Sequence, residues 1–244
     1  MSQAPYALRN VRKGTKYGID LNLEDTLAHA LVDAFPTKIP MGITAENLSK
    51  IYKVNRKDCD EFALSSQLKF SKGLEAGHYK DEIVPIEMKT RKGVETFSVD
   101  EHPRPLTTLE SLNKLKPSFD KNGVVTAGNA SGICDGAASL IVASEEAVNK
   151  YGLKPLARIV EWNYTGVEPS IMGIGPVPAI KNVLKRSGLS LNQIDSFEIN
   201  EAFAAQVLSV QKELKFDLEQ LNRDGGAIAI GHPLGASGAR IFSH

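Results

Sequence analysis

The hydrophobic pattern divides the chain into two stretches. Up to about residue 133 the apolar positions fall into short, separated groups; beyond it, apolar strand-like runs alternate with amphipathic helical ones, which points to an α/β protein. In the first stretch, residues 44–53 (TAENLSKIYK) predict a helix with Thr44 as N-cap and Glu46 in its first turn. A longer helix is predicted over 56–75, where Phe62, Ala63, Ser66 and Phe70 share a face and Gly77 supplies a stop. The segments EIVPIEM and ETFSV flank the polar turn Lys92-Gly93 and predict a hairpin, with Pro85 marking an edge strand. Residues 102–118, rich in Pro, Thr and Lys, read as a surface connection.

The second stretch predicts a short buried strand over 137–143, then a helix capped by Ser144, with Glu145 and Glu146 in its first turn and Gly152 at its end. A strand over 156–162 (LARIVEW) and a helix over 178–187, closed by Gly188, follow. A strand at 196–199 leads into a helix over 201–214. An apolar strand at 227–230 lies inside a Gly-rich stretch, and GASGARIFSH opens a last helix that is expected to continue. There is no internal repeat and no low-complexity segment.

Composition narrows the function classes. Lys and Arg number 29, Asp and Glu 29, so the net charge is +0, and neither nucleic acid nor an anionic membrane is favoured as a partner. No apolar run approaches the roughly 20 residues of a bilayer span, so no membrane insertion is expected, and the first residues lack a signal-peptide or transit-peptide pattern. Two cysteines, Cys59 and Cys134, make no disulfide framework and suit a reducing compartment. The five histidines show no metal-ligand spacing with them, so no metal is expected.

Three stretches could carry chemistry. In DGGAIAIGHPLGASGAR (224–240), Gly225, Gly226, Gly231, Gly235 and Gly238 surround His232. Glycines let a ligand approach the backbone, and Pro233 restricts the chain directly after the imidazole. Such a histidine could take a proton from a nucleophile or donate to a developing oxyanion. A phosphate loop is excluded, since His stands where Lys is required, and no GxGxxG exists for a dinucleotide. The residues alone leave open whether His232 is a site residue or a structural one. NEAF (200–203) stands where a strand meets a helix; Asn200 could present an amide to a carbonyl or a water, or simply cap the helix. TAGNASGICDGAA (126–138) is small and polar, fit for an extended ligand or for an ordinary turn.

Taken together, TAGNASG, NEAF and GHPLGASG, in that order, resemble the thiolase family. The resemblance runs over essentially the whole chain, through PMGITAENL (40–48), KDEIVPIE (80–87) and LKPSFDKNGVVTAGNASG (115–132). It is nearest to the degradative 3-oxoacyl-CoA thiolases, since Pro40 precedes Met41 where many acetoacetyl-CoA thiolases have histidine. It implies a thiolase fold, layered α-β-α-β-α but incomplete. Residues 1–152 would be the CoA-covering loop region and the end of the N-terminal domain, with 134–152 its last strand-helix piece; residues 153–244 would be a truncated C-terminal domain.

By the same resemblance, His232 activates a nucleophilic cysteine and helps form an oxyanion hole, and Asn200 orients a water in a second one. Ser131, Arg104, Phe119, Met172, Ala202, Phe203 and Met41 would line the CoA channel. Coenzyme A would be a substrate and no cofactor is implied; the parent would be a homodimer or homotetramer, mitochondrial, with peroxisomal or cytosolic placement as alternatives. Thiolases use two cysteines, one in the N-terminal domain and one in a CxGxG stretch, and neither lies in these 244 residues. Cys59 and Cys134 replace residues that are ordinarily not cysteine, and an unactivated thiol with a pKa near ~8.5 is a poor nucleophile. Asp224 departs from the asparagine usual before Gly-Gly. The expectation is therefore a piece of a longer acyltransferase, inactive alone, with a non-catalytic CoA-binding protein as the second reading.

Overall fold

The computed structural model describes residues 1–34 and 38–244. Its elements in chain order begin with β1 (Tyr6–Leu8) and β2 (Leu23–Asp25), paired antiparallel, and α1 (Thr26–Ala30). Then come α2 (Met41–Tyr52), α3 (Arg56–Ala76), the antiparallel hairpin β3 (Ile86–Thr90) and β4 (Gly93–Phe97), α4 (Leu109–Asn113) and α5 (Glu145–Tyr151). The last third holds α6 (Pro176–Ser187), α7 (Ala204–Leu214), α8 (Ala227–Ile230) and α9 (Ser237–Ser243).

Helix α7 is the centre of the molecule. Its consecutive residues Ala204 to Val210 are all buried, because α2, α3, α6 and the turn Pro169–Ile174 pack around it. Ala45, Ala63, Ala204, Ala205, Leu208 and Ile228 form one side of this core; Leu48, Val207, Val210, Leu214, Phe197 and Leu221 form the other. Small residues at 204 and 205 allow the neighbouring backbones to approach closely.

Local signals account for several helix ends. The side chain of Asn55 accepts from the Asp58 amide, and Asp58 reaches back to the Asn55 amide, a reciprocal cap that starts α3. Gly77 closes it at φ 80°, a left-handed conformation that glycine adopts without side-chain conflict. Ser144 caps α5 and Gly188 closes α6, as expected. Thr44 is not an N-cap: α2 begins at Met41 after extended Pro40, and the Thr44 hydroxyl donates to the Met41 carbonyl at 2.6 Å inside the helix. The expected surface connection 102–118 includes α4, whose Leu112 is buried in the core.

The larger corrections concern strands. Neither 137–143 nor 156–162 forms one; both run without ladder partners and lie exposed, with Ile141 91% and Leu156 101% accessible. Apolar β-branched runs record fitness for a pleated, buried surface, but a strand also needs a neighbour about 5 Å away to pair its amides. Among the described residues no strand runs beside them: the two sheets are the β1–β2 and β3–β4 hairpins. The strand expected at 196–199 survives as one parallel bridge, Phe197 to Leu221. Residues 227–230 form a helical turn instead of a strand, with Ala229 and Ile230 amides donating to the Gly226 carbonyl at 2.9 and 3.0 Å. Helix α7 starts at Ala204 instead of 201, because Ala202 and Ala204 pair with the 129–131 loop.

Candidate active site

Three loops converge, and each is anchored by its own buried polar group. The 126–132 loop is pinned by Asn129, which is 1% exposed. Its Nδ2 donates to Asp60 Oδ1 at 2.8 Å and to the Val124 carbonyl at 3.0 Å, while its Oδ1 accepts from the Thr126 amide at 2.8 Å. Asp60 is held in turn by Arg56 at 2.7 Å. So anchored, the loop lies antiparallel to 200–203. The Ser131 amide and hydroxyl both donate to the Ala202 carbonyl, at 3.0 and 3.1 Å, and the Ala204 amide donates to the Asn129 carbonyl at 2.9 Å.

The third loop brings His232 to this pair. Its amide donates to the Gly132 carbonyl at 2.8 Å, making a parallel bridge with Ile133. Gly231 precedes it at φ 96° and ψ 169°, a backbone region essentially restricted to glycine. A Cβ there would stand 2.6 Å from Cys134 Sγ. Arg240 ties the loop back to its own helix by donating to the Gly231 carbonyl at 2.8 Å.

The imidazole is held at both nitrogens. Nε2 lies 3.2 Å from Asn200 Nδ2, and Nδ1 lies 2.6 Å from Ser237 Oγ. With the Ser237 hydroxyl donating to the Pro233 carbonyl at 3.2 Å, the tautomer that fits has Nδ1–H donating to Ser237 and the Nε2 lone pair accepting from Asn200. Burial, and secondarily the Arg240 guanidinium, lower the His232 pKa from its ordinary value. The ring is therefore neutral near pH 7, with a basic nitrogen facing Asn200. The other amide atom, Asn200 Oδ1, is buried without a protein partner.

Asn200 is not the helix cap; that place is taken by Phe203. The remaining predicted residues fall into groups. Phe119 packs edge-on against Phe203, with ring centres 6.1 Å apart at 86°, and its ring covers Gly42, next to Met41 at the start of α2. Met172 is the exposed residue of the otherwise buried or half-buried turn Pro169–Ile174, which packs on α2 and α7. Arg104 is exposed and anchored through its backbone, the amide donating to Gln67 Oε1 at 2.9 Å. Ser131 is thus joined to Ala202, Asn200 to His232 and Phe119 to Phe203; among the described residues no hydrogen bond or ring contact joins Arg104 or Met172 to them.

Sequence reading missed three supporting residues. Ser237 was visible as the serine of GASG but carried no sign of its bond to His232. His102 fills the space beside Gly132 and Gly231, and burial lowers its pKa, with Arg104 adding to that and an Ile228 backbone bond opposing it. Glu201 is 1% exposed and accepts from three separate segments. Neither cysteine is a nucleophile by environment. Cys59 is fully buried and its pKa is pushed up to about 12, mainly by burial; burial also raises Cys134. A cleft of about 300 Å³ beside His232 is lined by Cys134, Ala137, Pro233 and Ala236, and by none of the predicted CoA-binding residues. Among the described residues no cluster of three His, Cys, Asp or Glu could hold a metal, and no helix is long and apolar enough to cross a membrane.

Comparison with known proteins bears on these loops. The thiolase N-terminal domain profile matches residues 1–146 and the thiolase C-terminal domain profile matches 153–244. The chain is 56% identical to human "3-ketoacyl-CoA thiolase, mitochondrial" and 57% identical to its mouse counterpart, over 100% of this chain and 61% of each relative. The crystal structure of the human mitochondrial enzyme superposes with a TM-score of 0.93 at 52% identity, covering 100% of this chain and 61% of that one. The Bacillus anthracis acetyl-CoA acetyltransferase also gives 0.93, at 49% identity, over 98% of this chain and 60% of that one. The chain thus spans about three fifths of the length of these relatives.

Proposed function

The chain belongs to the thiolase family, and on that premise we propose that it supplies the histidine–asparagine half of an active site that cleaves 3-oxoacyl-CoA with CoA. The products would be acetyl-CoA and a shortened acyl-CoA, as in fatty acid β-oxidation. The observation that carries this reading is the His232 imidazole: Nδ1 is anchored on Ser237 at 2.6 Å and Nε2 faces Asn200 at 3.2 Å.

In this reading Nε2 accepts the proton of an attacking thiol and returns it to the departing group. The Asn200 amide fixes a water or a substrate oxygen where negative charge develops. The covalent step divides one difficult acyl transfer into two easier ones. Its nucleophile is a cysteine other than Cys59 and Cys134, whose raised pKa values keep both as thiols. CoA is the second substrate and no further cofactor is invoked. In this reading Ser131, Arg104, Phe119, Met172, Ala202, Phe203 and Met41 line the channel that holds CoA. Support for CoA as ligand comes from the human mitochondrial relative, whose structure is known "in complex with CoA" (TM-score 0.91, 51% identity).

Residues 1–152 serve as the CoA-covering loop region with the end of the N-terminal domain, and 153–244 as the C-terminal domain. The whole protein acts in mitochondria, in line with the names of its mouse and human relatives, and as a homodimer or homotetramer; an acetoacetyl-CoA preference is the alternative, in line with the Bacillus anthracis relative named acetyl-CoA acetyltransferase.

The test is CoA-dependent cleavage of a 3-oxoacyl-CoA by the 244-residue chain, with His232→Ala as control, beside calorimetric titration of CoA. The expected result is CoA binding without turnover. Turnover that disappears in His232→Ala would overturn the argument about the nucleophile and point to Cys134 or Cys59. Absence of CoA binding would overturn the proposed channel.

A further inference from the structure

Glu201 is a buried carboxylate that the reaction just proposed does not use. It is 1% exposed, and no salt bridge to it is found among the described residues. Oε1 accepts from Asn222 Nδ2 at 2.8 Å; Oε2 accepts from Ser66 Oγ at 2.6 Å and from the Ile228 amide at 3.1 Å. Burial raises its pKa and the three donors oppose that shift.

At each carboxylate oxygen one donor is fixed in direction from outside. Asn222 cannot turn its amide over, because Oδ1 accepts from the Ile199 amide and Nδ2 donates to the Ile199 carbonyl, both at 2.9 Å. Ser66 Oγ accepts from the Gly226 amide at 3.1 Å and, with a second lone pair, is free to rotate its hydroxyl, so the direction at Oε2 is set by the Ile228 amide, a backbone N–H. Each oxygen of Glu201 therefore faces a donor that cannot turn away, and both must accept. Gly226 has no side chain because a Cβ there would overlap the carboxyl group.

These partners belong to α3, to the 222–226 turn and to α8, which leads into His232, while Glu201 itself directly follows Asn200. We propose that Glu201 is a positioning residue: as an all-acceptor hub it locks the 199–201 segment to the 222–231 segment and so sets the Asn200–His232 contact. The proposal rests on the reading of His232 and Asn200 as the reacting pair, but its test does not need turnover.

Glu201→Gln is nearly isosteric, yet it sets an amide donor against a donor that cannot turn away. A buried pair of this kind leaves a polar group unsatisfied. The measurement is the ¹⁵N spectrum of histidine-labelled 244-residue chain, with His232 assigned by its loss in His232→Ala, followed across pH. Wild type should give a single neutral tautomer with the proton on Nδ1. In Glu201→Gln the two ring nitrogens should move toward tautomer-averaged frequencies and the midpoint should rise toward the ordinary histidine value. Ser66→Ala, which removes one of the two donors to Oε2, should give a smaller change in the same sense. It carries the test if circular dichroism shows the glutamine variant unfolded.

An unchanged His232 titration in a folded Glu201→Gln, or in Ser66→Ala when that variant must stand alone, would overturn the positioning role. A wild-type proton on Nε2 would instead overturn the assignment of Nε2 as the base, so the two failures are distinguishable.

Discussion

Replacing Asn129 by alanine should loosen the whole candidate site without touching a reacting group. Three hydrogen bonds disappear: to Asp60 at 2.8 Å, to the Val124 carbonyl at 3.0 Å and from the Thr126 amide at 2.8 Å. Two neutral bonds contribute about 1 kcal/mol each and one to a carboxylate about 2, so the loss is about 4 kcal/mol. Relaxation cannot recover much of it, since Thr126 and Asp60 are both 0% exposed, beyond easy reach of water. Against the 5–15 kcal/mol typical of domains this is a large fraction.

With a urea slope of about 3 kcal/mol per molar for a chain of this size, the unfolding midpoint should fall by roughly 1.3 M. Circular dichroism in urea measures it directly. The contrasting variant Asn129→Asp keeps the acceptor for Thr126 but opposes Asp60 with a second carboxylate, so it should destabilise more at pH 8 than at pH 5. A midpoint shift under about 0.3 M for Asn129→Ala, equivalent to about 1 kcal/mol, would refute the view that this side chain anchors the loop. So would an Asn129→Asp variant whose stability is indifferent to pH.

Gly231→Ala should cost both backbone strain, about 1–3 kcal/mol, and the collision with Cys134 Sγ at 2.6 Å. Cys134→Ala should restore only the steric part, and full rescue in denaturation experiments would contradict the strain argument. Thiol titration with a disulfide reagent should give one reactive group, Cys134, and one that reacts only on unfolding, Cys59, whose pKa of about 12 reflects burial; two fast thiols would disprove that assignment. Burial pushes Glu198 up to about 7, with His244 pulling the other way. Between about pH 4.5 and 7 the folded state then retains a proton that the unfolded chain releases, so this group's contribution makes stability fall as pH rises through that window. Glu198→Gln should flatten the slope, and an unaltered pH profile would show the carboxyl to be ordinary.

The sequence by itself determined the helices whose ends are written in local chemistry. Asn55 with Asp58, Ser144, Gly77 and Gly188 act through bonds or dihedrals within a turn of the helix they delimit, so they need no distant partner to be read. The motifs TAGNASG, NEAF and GHPLGASG identified the family for the same reason: the residue types and their order are themselves the signal. Tertiary structure decided what depends on a neighbour. The runs 137–143 and 156–162 have strand composition but find no strand beside them among the described residues, and 227–230 closes into a helical turn on the Gly226 carbonyl, with the Ile228 amide donating to Glu201.

The site divides along the same line. His232 and Asn200 could be named from the sequence, but not that they stand 3.2 Å apart, nor that Ser237 Oγ lies 2.6 Å from the imidazole Nδ1. Glu201 read as a polar helix residue and proved to be a fully buried acceptor, because its three donors arrive from positions 66, 222 and 228. Hydrogen-bond polarity at a buried atom is a property of everything that surrounds it, and no local pattern of residues encodes it.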